Sequence, residues 1–149
     1  MIVLYRRFRS LDRSRRRLVV EAAASMAVFR LGLHCLRFLT LRRIADRYVA
    51  LTTTTVAAEP AGIDRVRWAI TAAAAHLPSA TCLVRALAAD AMLRRRRIPA
   101  ELRFGVRADR ENGAPIEGHA WIVCGDGLTI GLAEHEAGAF AELTPTGSR

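Results

Sequence analysis

The apolar residues of this 149-residue chain change their spacing once, and that change decides the fold class. From Leu18 they recur at three- or four-residue steps through Ala22, Met26, Phe29, Leu33 and Leu36, the interval that lines one face of an α-helix. From residue 101 onward the interval falls to two: Leu102, Phe104 and Val106 alternate with Glu101, Arg103 and Arg107, as in a half-buried strand. Helical periods come first and strand periods last, so the chain reads as α+β, with helices packed on a small antiparallel sheet.

The spacing predicts an amphipathic helix from Leu18 that breaks at Gly32, and a second from about His34 to Tyr48 carrying Leu36, Leu39 and Ile44 inward. The segment from Thr52 to Gly62 mixes threonines with Pro60 and Gly62 and reads as a linker. A third helix starts at Ile63 or Asp64, with Val66, Ile70, Ala73 and Ala74 as its buried stripe and Pro78 as its stop. Ser79 or Thr81 caps a fourth, which runs from Cys82 to about Arg96. After the strand at 102–106 and a loop from Ala108 to Ile116, His119 to Cys124 forms a second strand. A tight turn at Gly125-Asp126-Gly127 joins it to a third, Leu128 to Ile130. The expected organisation is a basic helical region at 1–48, a linker at 49–62 and a domain at 63–149.

Hydrophobic residues make up 52% of the chain and charged residues 25%, which excludes a disordered or fibrous protein. All 23 basic residues are Arg, and residues 1–48 hold twelve of them against Asp12, Glu21 and Asp46, an excess of nine. Residues 49–149 are balanced, so the entire net charge of +9 sits in the first third. Such asymmetry marks either a solvated helical arm or a surface that meets an acidic peptide, protein, lipid or nucleic acid. With no aromatic interleaving and no nucleic-acid motif, nucleic acid is not expected. Arg94 to Arg97 read as a solvated helix end, where cations meet the negative end of the helix dipole. Ala22 to Phe29, the longest apolar run near the N-terminus, has eight residues, too few to span a bilayer. Three unpaired cysteines without a CxxC motif suit a reducing cytoplasm.

Cys82 falls in the first turn of its helix, where free backbone N–H groups and the helix dipole stabilise a thiolate, as a nucleophile requires. The alternative is an inert buried thiol. His119 shares a strand face with Trp121 and Val123, whereas Cys124 faces the other side and reads as packing. Should Cys82 face His119, the imidazole could take the thiol proton and later protonate a leaving amine. The order helix-Cys then strand-His is that of papain-like cysteine enzymes. No short Cys or His spacing suits structural zinc, so neither metal nor cofactor is expected. His34 and His76, beside apolar residues in helical segments, read as structural.

Three stretches together carry a resemblance: Pro78-Ser-Ala-Thr-Cys-Leu-Val-Arg-Ala-Leu-Ala88, Leu93-Arg-Arg-Arg-Arg-Ile-Pro-Ala-Glu-Leu-Arg-Phe-Gly-Val-Arg107 and Gly118-His-Ala-Trp-Ile-Val123. From about Ile63 to Pro145 the chain resembles the transglutaminase-like, papain-related cysteine peptidases of lasso-peptide biosynthesis, and its basic helical N-terminal third is similar to their stand-alone form. The resemblance implies that Cys82 cleaves the bond between leader and core of a ribosomal precursor peptide, with His119 as general base. It implies a separate leader-recognition protein and a lasso cyclase as partners in a bacterial cell, while the sparse cysteines point to the cytoplasm and the Arg-rich helices to a peripheral tie to a membrane exporter. A non-catalytic scaffold of the same maturation complex is the alternative. The family places an Asp after the His-Ala-Trp strand to orient the imidazole; here Leu132 takes that place, leaving Glu134, Asp126 or nothing as third member. Trp121 and Arg85 are candidates for lining the substrate cleft, against the alternatives of core aromatic and exposed helix charge.

Overall fold

The computed structural model describes residues 12–53, 61–77, 80–107, 116–125, 129–131 and 140–143. Four helices precede four strands: α1 (Arg13–Cys35), α2 (Phe38–Thr52), α3 (Ala61–Ala74), α4 (Cys82–Arg95), β1 (Ala100–Arg107), β2 (Glu117–Cys124), β3 (Thr129–Ile130) and β4 (Ala141–Glu142). The sheet is antiparallel in the order β3-β2-β1-β4. This is the α+β architecture read from the two apolar periods, with β4 added at the edge.

α4 is the organising element. Val84 and every residue from Ala86 to Leu93 are buried, and a helix buried all round must be covered on every side. α1, α2 and α3 cover it on one side and β1 and β2 on the other. Val19, Ala22, Met26 and Phe29 of α1 and Leu41 and Val49 of α2 enter the same core as α3, α4 and the sheet. Residues 49–52, expected to be linker, complete α2, and 54–60 lie outside the described residues.

The helix break lies at Leu36–Arg37, both in extended conformation, and not at Gly32. Gly32 is helical because its place is set by packing: a Cβ there would come 2.5 Å from the Leu41 side chain. Thus α1 is longer than its apolar run suggests. The helix is 23 residues long and holds an 18-residue stretch apolar enough, by length and composition, to cross a membrane. Here one stripe of the helix packs in the core, while Val20, Val28 and Leu31 are exposed.

Of the four arginines expected to form a solvated helix end, Arg97 is exposed, but Arg94, Arg95 and Arg96 are not solvated. Arg94 binds Asp46 at 2.6 Å and approaches Asp90 at 3.4 Å, while Arg95 and Arg96 hold Glu21 at 2.9 and 2.6 Å. Two of the three acids in the basic third therefore tie α1 and α2 to α4. The helix then stops in a Schellman motif: Ile98 N–H donates to Leu93 O and Arg97 N–H to Arg94 O, and Ile98 is buried. The motif puts Arg97 at φ 57°, a left-handed conformation that costs a residue with a Cβ roughly 1 kcal/mol. Arg97→Gly is accordingly expected to raise the melting temperature by about 3 °C, read by thermal denaturation. A lower melting temperature would mean that the Arg97 side chain contributes more than its backbone strain costs.

Candidate active site

Thr81 stands in extended conformation as the N-cap of α4 and accepts a hydrogen bond from Val84 N–H at 3.4 Å. Cys82 is the first helical residue, and an α-helix offers its first amides no internal acceptor. The Cys82 N–H is thus placed to receive an anion formed beside its own thiol. The thiol is half-buried and its Sγ donates to the Gly118 carbonyl at 4.0 Å, which sets it against the residue that precedes His119 in β2. Gly118 itself is exposed, with open space where a side chain would be, so the thiol sits at an accessible edge.

β2 sorts its residues by face as the period of two requires. Ala120, Ile122 and Cys124 enter the main core, and Trp121 packs on the other side with Phe140 and Val123. His119 belongs to that second face. Its ring lies 5.2 Å from Phe140 and 6.3 Å from Trp121, centroid to centroid, stacked against the indole at 27°. Gly105, paired with His119 across the sheet, makes room for this cluster, because a Cβ there would come 2.7 Å from the Trp121 ring.

The imidazole Nε2 lies 2.9 Å from the carbonyl oxygen of Gly131. A carbonyl can only accept, so this bond makes Nε2 the protonated nitrogen and leaves the lone pair of neutral imidazole on Nδ1. Nδ1 is then the basic atom, held in orientation by the backbone just past β3. Gly131 has φ 98°, a conformation glycine adopts readily and other residues do not.

The sequence candidates fall out as follows. Cys82 and His119 are brought to one edge of the molecule. Glu134 and Asp126, the candidates for a third member, lie outside the described residues, as does Leu132. The acceptor seen is the Gly131 carbonyl, which no pattern of side chains could have signalled. Trp121 is 1% exposed and stands behind the imidazole, so its place is that of a supporting core aromatic and not of an open cleft wall. Arg85 is exposed on α4. His34 and His76 are exposed and not packed in a core, and Cys124 is buried. Among the described residues no three His, Cys, Asp or Glu side chains gather as a metal would need.

A thiol at a helix N-terminus, set against the strand residue that precedes an oriented imidazole, is a grouping from which acyl transfer can be built. The model of the transglutaminase-like superfamily matches residues 2–144, a span that includes both α1 and α2. Neither the curated proteins nor the solved structures yielded a match.

Proposed function

We propose, from the premise that this chain belongs to the transglutaminase-like superfamily of cysteine peptidases and acyl transferases, that it is the peptidase removing the leader from a lasso-peptide precursor. Cys82 is the nucleophile and His119 the general base. The observation that carries the reading is the pair of hydrogen bonds at the edge of β2, Cys82 Sγ to Gly118 O and His119 Nε2 to Gly131 O. They support the reading by setting the thiol against the residue that precedes His119 and by leaving the lone pair of the imidazole on Nδ1.

The chemistry follows from those atoms. Nδ1 takes the thiol proton, and the thiolate attacks the carbonyl carbon of the leader–core bond. The tetrahedral oxyanion gains the Cys82 N–H at the start of α4. The imidazolium then protonates the departing core amine, leaving the leader as a thioester on Cys82, which water hydrolyses with His119 as base. No cofactor enters this scheme. The freed amine suits a cyclase that joins it to an acidic side chain.

The reading includes a separate leader-recognition protein, the lasso cyclase and a cytoplasmic site of action, with a membrane exporter nearby. What supports protein partners is α2, where Ile44, Tyr48 and Leu51 are exposed at i, i+4 and i+7, an apolar stripe among arginines. The test is mass spectrometry of the cognate precursor, incubated with this protein and with its leader-recognition protein. One cut, at the leader–core bond, is expected. An uncut precursor in the complete mixture would overturn the peptidase and favour a scaffold.

A further inference from the structure

Beside Cys82, on the flank away from the sheet, lies a cavity of about 430 Å³ that the scheme above does not use. Its walls are Arg30, Leu31, Leu33 and His34 from the last turns of α1, and Thr81 and Val84 from the first turn of α4. Thr81 and Val84 bracket Cys82 in the chain, so the cavity lies within about one helical turn, 5.4 Å of rise, of the nucleophile. Its size is that of clefts that bind small ligands. We propose that this cavity is the acyl-side subsite of the peptidase, and that it takes an acidic residue together with an apolar one immediately N-terminal to the scissile bond.

The side of the scissile bond follows from His119. The thiol points to Gly118 O, toward β2, and His119 must reach the leaving amine from that direction. The departing half of the substrate therefore lies over the sheet edge. The acyl half crosses Cys82 to the other flank, where the cavity is. This step rests on the proposed nucleophile and base.

The chemical class follows from the lining. Leu31, Leu33 and Val84 supply apolar surface, and Leu31 is 65% exposed, an apolar side chain left in solvent beside a nucleophile. Arg30 and His34 are the ionisable groups of the wall, and both are basic. Arg85, four residues after Thr81, lies on the same flank of α4. No acid is among the described lining residues. Arg30 and Arg85 attract a carboxylate, His34 can donate a hydrogen bond to one, and no described lining residue repels it, while an adjacent apolar side chain covers Leu31 and Leu33. The basic N-terminal region thus does more than brace α4: its first helix forms half of the substrate groove.

The test uses two peptidyl fluoromethyl ketones, acetyl-Leu-Glu and acetyl-Leu-Lys, which alkylate a thiol with loss of fluoride and occupy the acyl side. Iodoacetamide, too small to fill the cavity, measures the reactivity of Cys82 in each protein and normalises the rates, with all alkylation read on the Cys82 peptide by mass spectrometry because Cys35 is an exposed thiol as well. The Glu reagent is expected to inactivate the full-length protein roughly fivefold faster than the Lys reagent. In Arg30→Glu/His34→Glu that preference should vanish or invert. Equal rates for the two reagents, or a preference unmoved by the double charge reversal, would overturn the subsite. Should Cys82 react with none of the three reagents, the nucleophile fails, and the cavity is decided separately. The amides acetyl-Leu-Glu-NH2 and acetyl-Leu-Lys-NH2 are titrated while the methyl resonances of Leu31 and Val84 are followed. Shifts confined to the Glu peptide support the subsite, and their absence overturns it.

Discussion

Under the proposed function, Cys82→Ala is expected to leave the precursor uncut and His119→Ala to slow its cleavage by about 10⁴-fold, with neither change moving the melting temperature appreciably. Both side chains sit at an edge: Cys82 is half-buried beside an exposed glycine and His119 is half-buried against Phe140. Loss of activity without loss of stability is thus what a chemical role predicts, and a parallel drop in both would point to packing. A third substitution separates the accounts of the imidazole's orientation. If the Gly131 carbonyl fixes the Nε2–H tautomer, Glu134→Gln retains cleavage within about tenfold of wild type. A loss comparable to that of His119→Ala would place the Glu134 carboxylate in the machinery. Mass spectrometry of the precursor at timed intervals reads all three.

The strands that carry His119 and the helix that presents Cys82 were legible because their signals are local. Alternation over Leu102–Val106 needs only five residues, and a cap at Thr81 before an uninterrupted helical run needs only the next few. What escaped the sequence depends on distant partners or on backbone. Phe140 touches His119 and Trp121 from a segment twenty positions on, and the two residues of β4 are too short to show any period. The Gly131 carbonyl carries no side-chain signature at all. Arg94 to Arg96 look solvated along the sequence because their acids, Asp46 and Glu21, are 48 to 75 positions away. Gly32 was legible as a glycine but not as a packing site, since the side chain it admits, Leu41, belongs to the next helix. One local signal did exist for the buried ion pairs: Asp90 is the single carboxylate in the otherwise apolar stretch from Ala86 to Leu93.

That carboxylate supplies the second large effect. Asp90 is 4% exposed, and its Oδ2 lies 3.3 Å from Arg42 and 3.4 Å from Arg94, so it holds α2 against α4. Its Oδ1 is buried without a hydrogen-bond partner among the described residues. Burial accordingly raises the Asp90 carboxyl above its ordinary value of 3.8, and the attraction of Arg42 and Arg94 does not offset it. Arg94 is raised as well, with its bonds to Asp46 and Asp90 outweighing a smaller burial, because its side chain stays about one third exposed. The attraction is real, and the carboxylate bears the desolvation.

Two results follow. Asp90→Ala strands the buried Nη1 of Arg42 and is expected to cost about 3 kcal/mol, the lower end for breaking a buried pair, since Asp46 still holds Arg94. The pH dependence has a fixed sign. A carboxyl whose value is raised on folding binds protons more readily in the folded chain, so its contribution is largest below pH 3.8 and declines as pH rises through the raised folded value. Asp90→Asn removes that titration while keeping the shape. The stability of wild type minus that of Asp90→Asn, from urea unfolding at a series of pH values, should therefore fall as pH rises above 3.8 and then level off. A difference that grows with pH would show that the two arginines more than repay the burial. The pair would then be a source of stability for the docking of α2 on α4, where burial dominance makes it chiefly a constraint on how the two helices meet.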